Sequence, residues 1–544
     1  MPWAAPSRFS SALWRILSPR LRQSPARDDF PCRHQRKLLP IESYRINVES
    51  CLEGILVGSV SNTVEILEDR LFIDGRFIEA ANQDRLAILS PIDGQVIGEV
   101  AFAGPQDVES AVEAAERAFV SWSSLSFKAR AGFLDAIADH LDQRRNDLAR
   151  LTARNNGKPL AQALMDVDDA VACYRYYASL AGLPGEEDVP GLEGGLVAHK
   201  DRLPLGPVAL IVPWNFPLTT AAWKVAPALV AGCTVVLKVS EVTPFAELSL
   251  GSAAIAAGLP PGVLNILVGG PEAGERLVRD LRIAKISFTG SNRVGSSVMA
   301  AAAERAVPVT LELGGKSPII VFDDVDPDWA AQIVAEGIFT NCGQVCSANS
   351  RLIVQEGIAD ALEERLVELA RTMTIGDPLD PATTLGPLTS SAQYEKVIGF
   401  FDAARAEGLA CLAGGDALGR PGYYVAPTIY GNVPVTSRLW REEIFGPVLV
   451  TRRFRTEAEG VALAADTPFG LGAVVLSGDI ERAERVGRAL RAGNVWVNTG
   501  QMVFPQGNWG GFGASGFGRE LGLAAIEGFT GIRQIISASP RAGA

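Results

Sequence analysis

The stretch Pro207-Val-Ala-Leu-Ile-Val-Pro-Trp-Asn-Phe-Pro217, with the helical pattern that follows it at 219–231 and Thr234-Val-Val-Leu-Lys238 after that, decides the fold of this chain. It places two apolar strands in succession with a helix between them, and parallel strands need such a crossover. The alternation continues with a helix near 245–257, a strand at 263–268, a helix at 273–281 and a strand at 285–288. The sequence therefore predicts an α/β fold built on a parallel sheet.

Similar patterns extend on both sides of this stretch. Apolar residues three and four apart predict helices at 108–119, 129–151 and 160–180. A second series of strands is expected around 317–322, 350–354, 448–454 and 493–497. Between the early helices and the first strands, residues 182–204 are rich in Gly, Pro and acidic residues, so we expect this segment to protrude or to link.

The composition excludes several classes of protein. A chain of 544 residues is too long for one core, and its net charge of -12 disfavours a nucleic-acid surface. Seven cysteines without a C-x-x-C pair and three histidines favour neither a disulfide framework nor a metal site, and they fit a reducing compartment. The apolar run 203–223 contains four prolines, so we interpret it as buried core and not as a membrane span.

Residues 1–65 differ from the rest of the chain because they are rich in arginine interleaved with apolar residues. One interpretation is a mitochondrial presequence. The other is an over-extended start codon ahead of the true protein. Composition alone leaves both open.

Three separated residues could carry chemistry. Cys346 lies in a Gly-containing turn before a strand, where a thiol can meet a substrate, although a single cysteine is more often a small buried hydrophobe. Glu312 ends an apolar strand, where an unpaired carboxylate is costly unless it has a purpose. Asn215 follows a buried strand and could cap a helix or donate to an oxyanion.

The motifs around these residues resemble the aldehyde dehydrogenase superfamily from about Leu71 to Ile536. They include Lys238-Val-Ser-Glu241, Phe288-Thr-Gly-Ser291, Glu312-Leu-Gly-Gly315, Gly343-Gln-Val-Cys346, Glu443-Ile-Phe-Gly-Pro447 and Ser515-Gly-Phe-Gly-Arg519. The resemblance implies a Rossmann-like NAD-binding domain at 66–182 and 206–313 and an α/β catalytic domain at 314–518. It also implies a small β oligomerisation element at 183–205 and 519–544.

The resemblance also implies a mechanism. Cys346 would attack the aldehyde, and the oxyanion of the thiohemiacetal would be held by the Asn215 side chain and the Cys346 backbone N–H. Glu312 would then deprotonate the water that hydrolyses the thioester. Lys238 is predicted in both the catalytic and the cofactor sets.

For the cofactor, the resemblance implies NAD. A carboxylate at Glu241 can bond the adenosine ribose and should disfavour a 2′-phosphate, which favours NAD over NADP. The predicted cofactor-binding residues are Trp214, Lys238, Ser240, Glu241, Gly290, Ser291, Glu443 and Phe445. The G-x-G-x-x-G stretch at 511–516 follows no predicted strand, so we interpret it as a loop near the mouth of the active site.

The closest likeness is to betaine aldehyde and aminoaldehyde dehydrogenases, in which aromatic side chains bind a cationic substrate. The predicted substrate residues are Phe216, Trp223 and Trp509, with aromatic core packing as the alternative. Thr340 stands where plant relatives carry a further tryptophan, so the aromatic box is incomplete. An oxidase of uncharged aldehydes and a non-catalytic NAD-binding protein of the same fold remain alternatives.

The resemblance further implies a homodimer or homotetramer whose subunits join through 182–204 and a strand near 531–536. No nucleic-acid or membrane partner is expected. The expected location is the cytoplasm, or the mitochondrial matrix if the N-terminal extension is genuine.

Overall fold

The computed structural model describes residues 68–180, 186–192 and 196–538. The predicted extension at 1–65 lies outside these ranges, so both interpretations of it stay predictions. Within the described ranges, no helix has both the length and the apolar character needed to cross a membrane.

The described helices and strands alternate along most of the chain. The helices are α1 Pro105–Ser123, α2 Phe127–Gln143, α3 Arg145–Asn156, α4 Leu160–Ser179, α5 Pro217–Ala231, α6 Phe245–Ala256, α7 Pro271–Arg279, α8 Asn292–Ala303, α9 Pro327–Phe339, α10 Glu356–Thr372, α11 Ser391–Ala406, α12 Arg438–Arg441, α13 Glu457–Ala465, α14 Ile480–Ala489 and α15 Gly522–Gly528. The strands are β1 Leu71–Ile73, β2 Arg76–Ile78, β3 Arg85–Leu89, β4 Val96–Ala101, β5 Glu186–Asp188, β6 Leu196–Pro204, β7 Pro207–Ile211, β8 Thr234–Val239, β9 Leu264–Val268, β10 Lys285–Thr289, β11 Val309–Glu312, β12 Pro318–Val321, β13 Arg351–Gln355, β14 Ala410–Ala413, β15 Thr428–Gly431, β16 Val448–Phe454, β17 Gly472–Leu476, β18 Asn494–Val497, β19 Gly516–Phe517 and β20 Thr530–Ala538.

The first sheet has the strand order β19-β11-β10-β7-β8-β9-β1-β2, and β7 to β11 are parallel within it. The chain leaves β7 through β8 and β9 on one side, then returns to add β10 and β11 on the other. In such a sheet, ligands bind beyond the carboxyl ends of the strands where the order reverses, here between β7 and β10. Asn215 follows β7, and Ser291 follows β10, so both lie at this point.

The second sheet has the order β14-β15-β16-β13-β12-β17-β18, with only β14 antiparallel to its neighbour. Cys346 lies in the connection that leads from α9 into β13. Every strand of this sheet falls inside the range predicted for the catalytic domain, although the domain boundaries themselves stay predictions.

The third sheet, β20-β6-β5, is antiparallel. Strand β6 pairs with β20 along its whole length, from Leu196 opposite Ala538 to Pro204 opposite Thr530. The segment expected to protrude or link is therefore partly a regular strand. The family resemblance implied a β element here, whereas composition alone did not, because the Gly, Pro and acidic residues are concentrated before Leu196.

Two further expectations differ from the structure. The single helix predicted at 129–151 is two helices, α2 and α3, because Arg144 between them leaves the helical region with φ -103° and ψ 15°. The short strands β1 to β4, β14, β15 and β17 were not predicted. Three of them, β2, β3 and β14, are largely exposed or half-buried, whereas the predicted strands β7 and β9 are buried throughout and therefore carry a continuous apolar run.

Helix α5 crosses between β7 and β8, and all of its side chains are buried. Its single charged residue is Lys224, which is 1% exposed. A buried ammonium needs a partner, so this residue indicates polar chemistry inside the fold.

Candidate active site

The cysteine loop adopts an unusual backbone. Asn341, Cys342 and Gly343 all have positive φ, of 49°, 55° and 71°. A Cβ atom at Gly343 would lie 2.0 Å from the carbonyl oxygen of Gly446, so glycine is required there. The loop is thus packed directly against the segment that carries Glu443 and Phe445.

Asn215 is hydrogen-bonded to this loop. Its Nδ2 donates to the carbonyl oxygen of Gln344 at 2.9 Å, and its own carbonyl oxygen accepts from Asn341 Nδ2 at 2.8 Å. The Gln344 side chain is fixed in turn, because Nε2 donates to Asn341 O at 3.0 Å and Oε1 accepts from Thr389 N at 3.0 Å. The amide nitrogen of Asn215 has two hydrogens, so one remains for a substrate.

Glu312 ends β11 and is 3% exposed. Neither carboxylate oxygen has a hydrogen-bond partner among the described residues. Burial raises the pKa of Glu312 well above its ordinary value, and the nearby Glu520 carboxylate raises it further, whereas Lys224 and Arg519 oppose the rise. The residue is therefore a stronger proton acceptor than a surface glutamate.

Cys346 is partly exposed, and it lies within electrostatic reach of Glu312 and Glu443. Burial is the main cause that raises the pKa of the thiol, and these two carboxylates add to it. Consequently the thiol needs a proton acceptor when it attacks.

The two glycines after Glu312 permit the contact between these segments. A Cβ at Gly315 would lie 2.3 Å from the carbonyl oxygen of Cys346, and one at Gly314 would lie 2.5 Å from Glu443 Oε2. The Gly315 backbone N–H donates to Glu443 Oε1 at 2.8 Å. The structure therefore brings Asn215, Glu312, Cys346 and Glu443 to one place.

A buried pair of charges lies beside Glu312, and sequence reasoning missed it. Lys224 Nζ donates to Glu520 Oε1 and, at 3.0 Å, to Ser287 Oγ, which itself donates to Glu520 Oε1 at 3.2 Å. A cavity of about 10 Å³ adjoins this pair and is large enough for about one water molecule. The available signal was Lys224, because it is the single charge in the apolar sequence of α5.

Two cofactor candidates contact each other next to the cysteine loop. The rings of Trp214 and Phe445 meet edge to face, with centroids 5.4 Å apart and an interplanar angle of 89°. Phe445 has a φ of 61°, and its carbonyl oxygen accepts from Gln393 Nε2 at 2.6 Å. This turn holds the aromatic ring two positions from Glu443.

Lys238, Ser240 and Glu241 lie together at the carboxyl end of β8. Lys238 Nζ is 3.6 Å from Glu241 Oε2, and burial lowers the pKa of this lysine. Ser240 Oγ accepts from the backbone N–H of Val242 at 3.2 Å. Lys238 groups with the cofactor candidates and not with Cys346, so its catalytic role stays a prediction.

Gly290 and Ser291 lie at the carboxyl end of β10. The Gly290 N–H donates to the carbonyl oxygen of Glu312 at 3.0 Å, and Ser291 is the N-cap of α8. The Ser291 hydroxyl accepts from Val294 N at 3.4 Å, which leaves earlier amides of the helix for an anion. The half-buried carboxylate of Glu241 fits the ribose of a dinucleotide, and the start of α8 fits its pyrophosphate.

The three predicted substrate aromatics pack against the protein itself. Trp223 and Trp509 are 9% and 5% exposed, and their rings lie 5.5 Å apart. Trp496, which sequence reasoning missed, lies 6.4 Å from Trp509. Phe216 already has an internal cation over its ring, because Lys158 Nζ is 3.8 Å from its centroid. One face of Phe216 is therefore closed to a substrate cation.

The glycine-rich stretch at 511–516 is not a dinucleotide loop. It contains a short 3-10 turn at Gly513–Ser515, followed by β19, which pairs antiparallel with β11 beside Glu312. Ser515 Oγ donates to the carbonyl oxygen of Gly314 at 2.7 Å. The loop lies next to the site, and its short strand was not expected.

The site combines a partly exposed thiol, a neighbouring amide and a buried carboxylate, close to the point where the strand order of the first sheet reverses. This combination defines an enzyme that forms a covalent bond to a carbonyl carbon. No cluster of metal ligands occurs in the part of the chain that the structure describes. The pattern of the aldehyde dehydrogenase family matches residues 77–535, and the chain belongs to this family. The fold class and the enzyme class predicted from the sequence, an NAD-dependent oxidoreductase, are thereby confirmed.

Within this family, the chain is similar to aminoaldehyde and betaine aldehyde dehydrogenases in sequence and in structure. The chain is 46% identical to aminoaldehyde dehydrogenase 2, peroxisomal, of Malus domestica over 487 residues, which cover 87% of this chain and 96% of the relative. It is also 46% identical to the chloroplastic betaine aldehyde dehydrogenase of Amaranthus hypochondriacus, with coverage of 87% and 96%. A solved structure of betaine aldehyde dehydrogenase from Staphylococcus aureus in complex with NAD+ is similar, with a TM-score of 0.85, 36% identity and coverage of 87% and 95%.

Proposed function

We propose that this enzyme oxidises betaine aldehyde or an aminoaldehyde to the carboxylic acid through a thioester on Cys346. The observation that carries the proposal is the convergence of Asn215, Glu312 and Cys346, which are far apart in sequence. The relatives named for betaine aldehyde and aminoaldehydes support the substrate class.

In the first step, the Cys346 thiol passes its proton to Glu312, which releases it to solvent before the second step. Sγ bonds to the carbonyl carbon, and the electron pair of the C=O bond moves to the oxygen, which becomes an oxyanion. The second hydrogen of Asn215 Nδ2 and the Cys346 backbone N–H stabilise that oxyanion. Bound NAD supplies the hydride acceptor that converts the thiohemiacetal into a thioester. The cysteine loop keeps the thiol in place through the hydrogen bonds between Asn215, Asn341 and Gln344.

In the second step, Glu312 takes a proton from water, the resulting hydroxide attacks the thioester carbon, and the carbon–sulfur bond breaks, which releases the carboxylic acid and returns the sulfur to Cys346 as a thiolate. The raised pKa of Glu312 suits it to this role, because a general base works best with a pKa near the working pH. The Lys224–Glu520 pair next to it is the route by which the proton can leave the buried site.

For the cofactor, Lys238, Ser240 and Glu241 would hold the adenosine end, with Trp214 beside them. Gly290 and Ser291 would meet the pyrophosphate at the start of α8. Glu443 and Phe445 would position the nicotinamide ribose and ring. The Glu241 carboxylate would repel a 2′-phosphate, so NAD is preferred to NADP.

The assembly is a homodimer or homotetramer formed through the sheet β5-β6-β20. Large apolar side chains are exposed on its two long strands, namely Leu196, Val197, Ile532, Ile535 and Ile536. A monomer seldom leaves such a patch uncovered. The five described cysteines are free, which fits the cytoplasm, or the mitochondrial matrix as the alternative.

One observation favours the second candidate, oxidation of uncharged aldehydes. Lys158 covers one face of the Phe216 ring, so this ring can make fewer cation–π contacts with a substrate than the resemblance implies. The test is NADH formation from betaine aldehyde, an aminoaldehyde and propanal, in the intact enzyme and in Trp509→Ala. We expect the intact enzyme to prefer the two cationic aldehydes over propanal, and we expect this preference to be smaller in Trp509→Ala. Equal turnover of all three aldehydes in both proteins would contradict the substrate assignment.

A further inference from the structure

Glu336 lies in the last turn of α9, which leads into the cysteine loop. Its side chain is exposed. No hydrogen bond or ion pair of this carboxylate occurs among the residues that the structure describes. Its backbone carbonyl oxygen accepts from Thr340 Oγ1 at 2.8 Å, so the main chain at this point is fixed while the carboxylate is free to meet a ligand.

Short contacts link this turn to the nucleophile. The neighbouring Gly337 accepts from the backbone N–H of Asn349 at 2.8 Å, three residues after Cys346. Gln501 Nε2 donates to Asn349 Oδ1 and to the Ser347 carbonyl oxygen, both at 2.7 Å.

The side chain of Glu336 reaches the segment that contains Gln501. A Cβ at Gly500 would lie 3.8 Å from Glu336 Oε2. The carboxylate is therefore located where the end of α9, the cysteine loop and residues 500–501 meet.

The electrostatics of this position are those of an unpaired anion. Partial burial raises the pKa of Glu336, and no neighbouring cation offsets that rise. An exposed anion without a partner attracts cations from solvent. The aromatic candidates are less available, since Trp223 and Trp509 are buried and Phe216 already has Lys158 over its ring.

We propose that Glu336 determines the charge specificity of the reaction by binding the ammonium group of a cationic aldehyde whose carbonyl carbon lies at Cys346. This inference rests on the proposed function. A primary ammonium can donate hydrogen bonds to the carboxylate, whereas a trimethylammonium offers charge alone. Glu336 therefore favours aminoaldehydes over betaine aldehyde.

The test uses Glu336→Gln and the charge reversal Glu336→Lys, with kcat/KM measured for 4-aminobutanal, betaine aldehyde and butanal. For 4-aminobutanal we expect a loss of about fivefold in the first variant and about twentyfold in the second. Betaine aldehyde should lose less, and butanal should not change. The matched control is Glu364→Gln, which removes an exposed carboxylate on α10 and should leave all three values unchanged.

A second measurement works without turnover. Butylammonium should protect Cys346 from alkylation by iodoacetamide, and Glu336→Gln should raise the half-protecting concentration by about fivefold. Unchanged substrate ratios and unchanged protection in Glu336→Gln, or equal losses for all three aldehydes, would overturn the role of Glu336. Protection that depends on Glu336 in an enzyme that oxidises no aldehyde would instead overturn the proposed function alone.

Discussion

At the scale of single residues, the site depends on glycines that allow backbone segments to touch. Gly315 packs against the carbonyl of Cys346, and Gly343 of the cysteine loop packs against the carbonyl of Gly446. The catalytic groups are attached to these segments, so small displacements of the backbone translate directly into displacements of the thiol.

Replacing Gly315 by alanine tests this dependence. The new Cβ would lie 2.3 Å from the Cys346 carbonyl oxygen, and the loop must shift to relieve the clash. We expect kcat to fall by about a hundredfold, since misplacement by about 1 Å has that effect. Steady-state kinetics and circular dichroism measure activity and fold. The control is Gly399→Ala in α11, where a Cβ meets nothing within 4 Å; full activity in Gly315→Ala would refute the argument.

Burial raises the pKa of Glu312 most, and the negative charge of Glu520 adds to that rise. Glu520→Gln removes a negative charge that raises the pKa of Glu312, while Lys224 and Arg519, which lower it, remain. Glu312 must be deprotonated to activate water, so the rate is lost as the pH falls through its pKa. The acid limb of the kcat profile should therefore move to lower pH.

This shift is measured from kcat between about pH 5 and 9. The exposed carboxylate Glu272, in the first turn of α7, provides the control Glu272→Gln, which should keep the original profile. An acid limb that stays in place in Glu520→Gln would show that Glu520 does not act on Glu312.

The sequence predicted the catalytic residues that converge at the site, but it did not predict the hydrogen bonds and contacts that position them. Asn215 and Glu312 were recognisable because a polar group followed or ended an apolar strand, and Cys346 because it lies in a Gly-containing turn before a strand. Gln344 and Asn341 were not recognisable, since Asn341 Nδ2 donates to the distant carbonyl oxygen of Asn215 and Gln344 Oε1 accepts from the distant backbone N–H of Thr389. The closed face of Phe216 depends on Lys158, and no local pattern reveals such a contact.

At the scale of elements, α5 shows how a helix can be apolar all round and still carry a charge. Lys224 is tolerated because Glu520 and Ser287 satisfy it inside the fold. The pair also couples α5 to the chain segment that follows Trp509. The predicted domain boundary at 519 thus falls beside a buried contact.

Lys224→Met should destabilise the enzyme by about 3 to 5 kcal/mol, because Glu520 would remain buried without its partner. The double variant Lys224→Met/Glu520→Leu removes both charges and should recover most of that loss. Denaturant unfolding, followed by fluorescence, gives the free energies. A double variant no more stable than the single one would contradict the pairing.

Most elements were predicted where they carry a continuous apolar pattern. The strands from β7 to β10 and the helices between them follow the expected order because each carries several apolar residues in one pattern. The break at Arg144 escaped prediction, since the apolar spacing continues across it and only the backbone angle changes. Composition alone did not predict strand β6, because the residues before it are turn-forming, and only the family resemblance implied a β element there.

At the scale of the whole molecule, the described chain forms four sheets, the smallest of which is the two-stranded pair β3-β4. The first two sheets surround the proposed site, and the third, β5-β6-β20, presents apolar side chains to solvent. This sheet is where we propose that subunits meet.

Ile532→Lys should weaken the assembly, because Ile532 is 63% exposed in the single chain and would be buried against another subunit. Size-exclusion chromatography with light scattering should show a smaller species than the wild type. Leu281→Lys is the matched control, since Leu281 is 82% exposed elsewhere on the surface. Equal masses for the wild type and Ile532→Lys would place the interface on another face.

The central claim is that the thiol of residue 346 forms the covalent bond to the substrate. The most direct measurement is NADH formation from 4-aminobutanal, betaine aldehyde and propanal by Cys346→Ala, with Cys342→Ala as the neighbouring control. The account predicts background rates in Cys346→Ala and activity retained in Cys342→Ala. Wild-type rates in Cys346→Ala would contradict it.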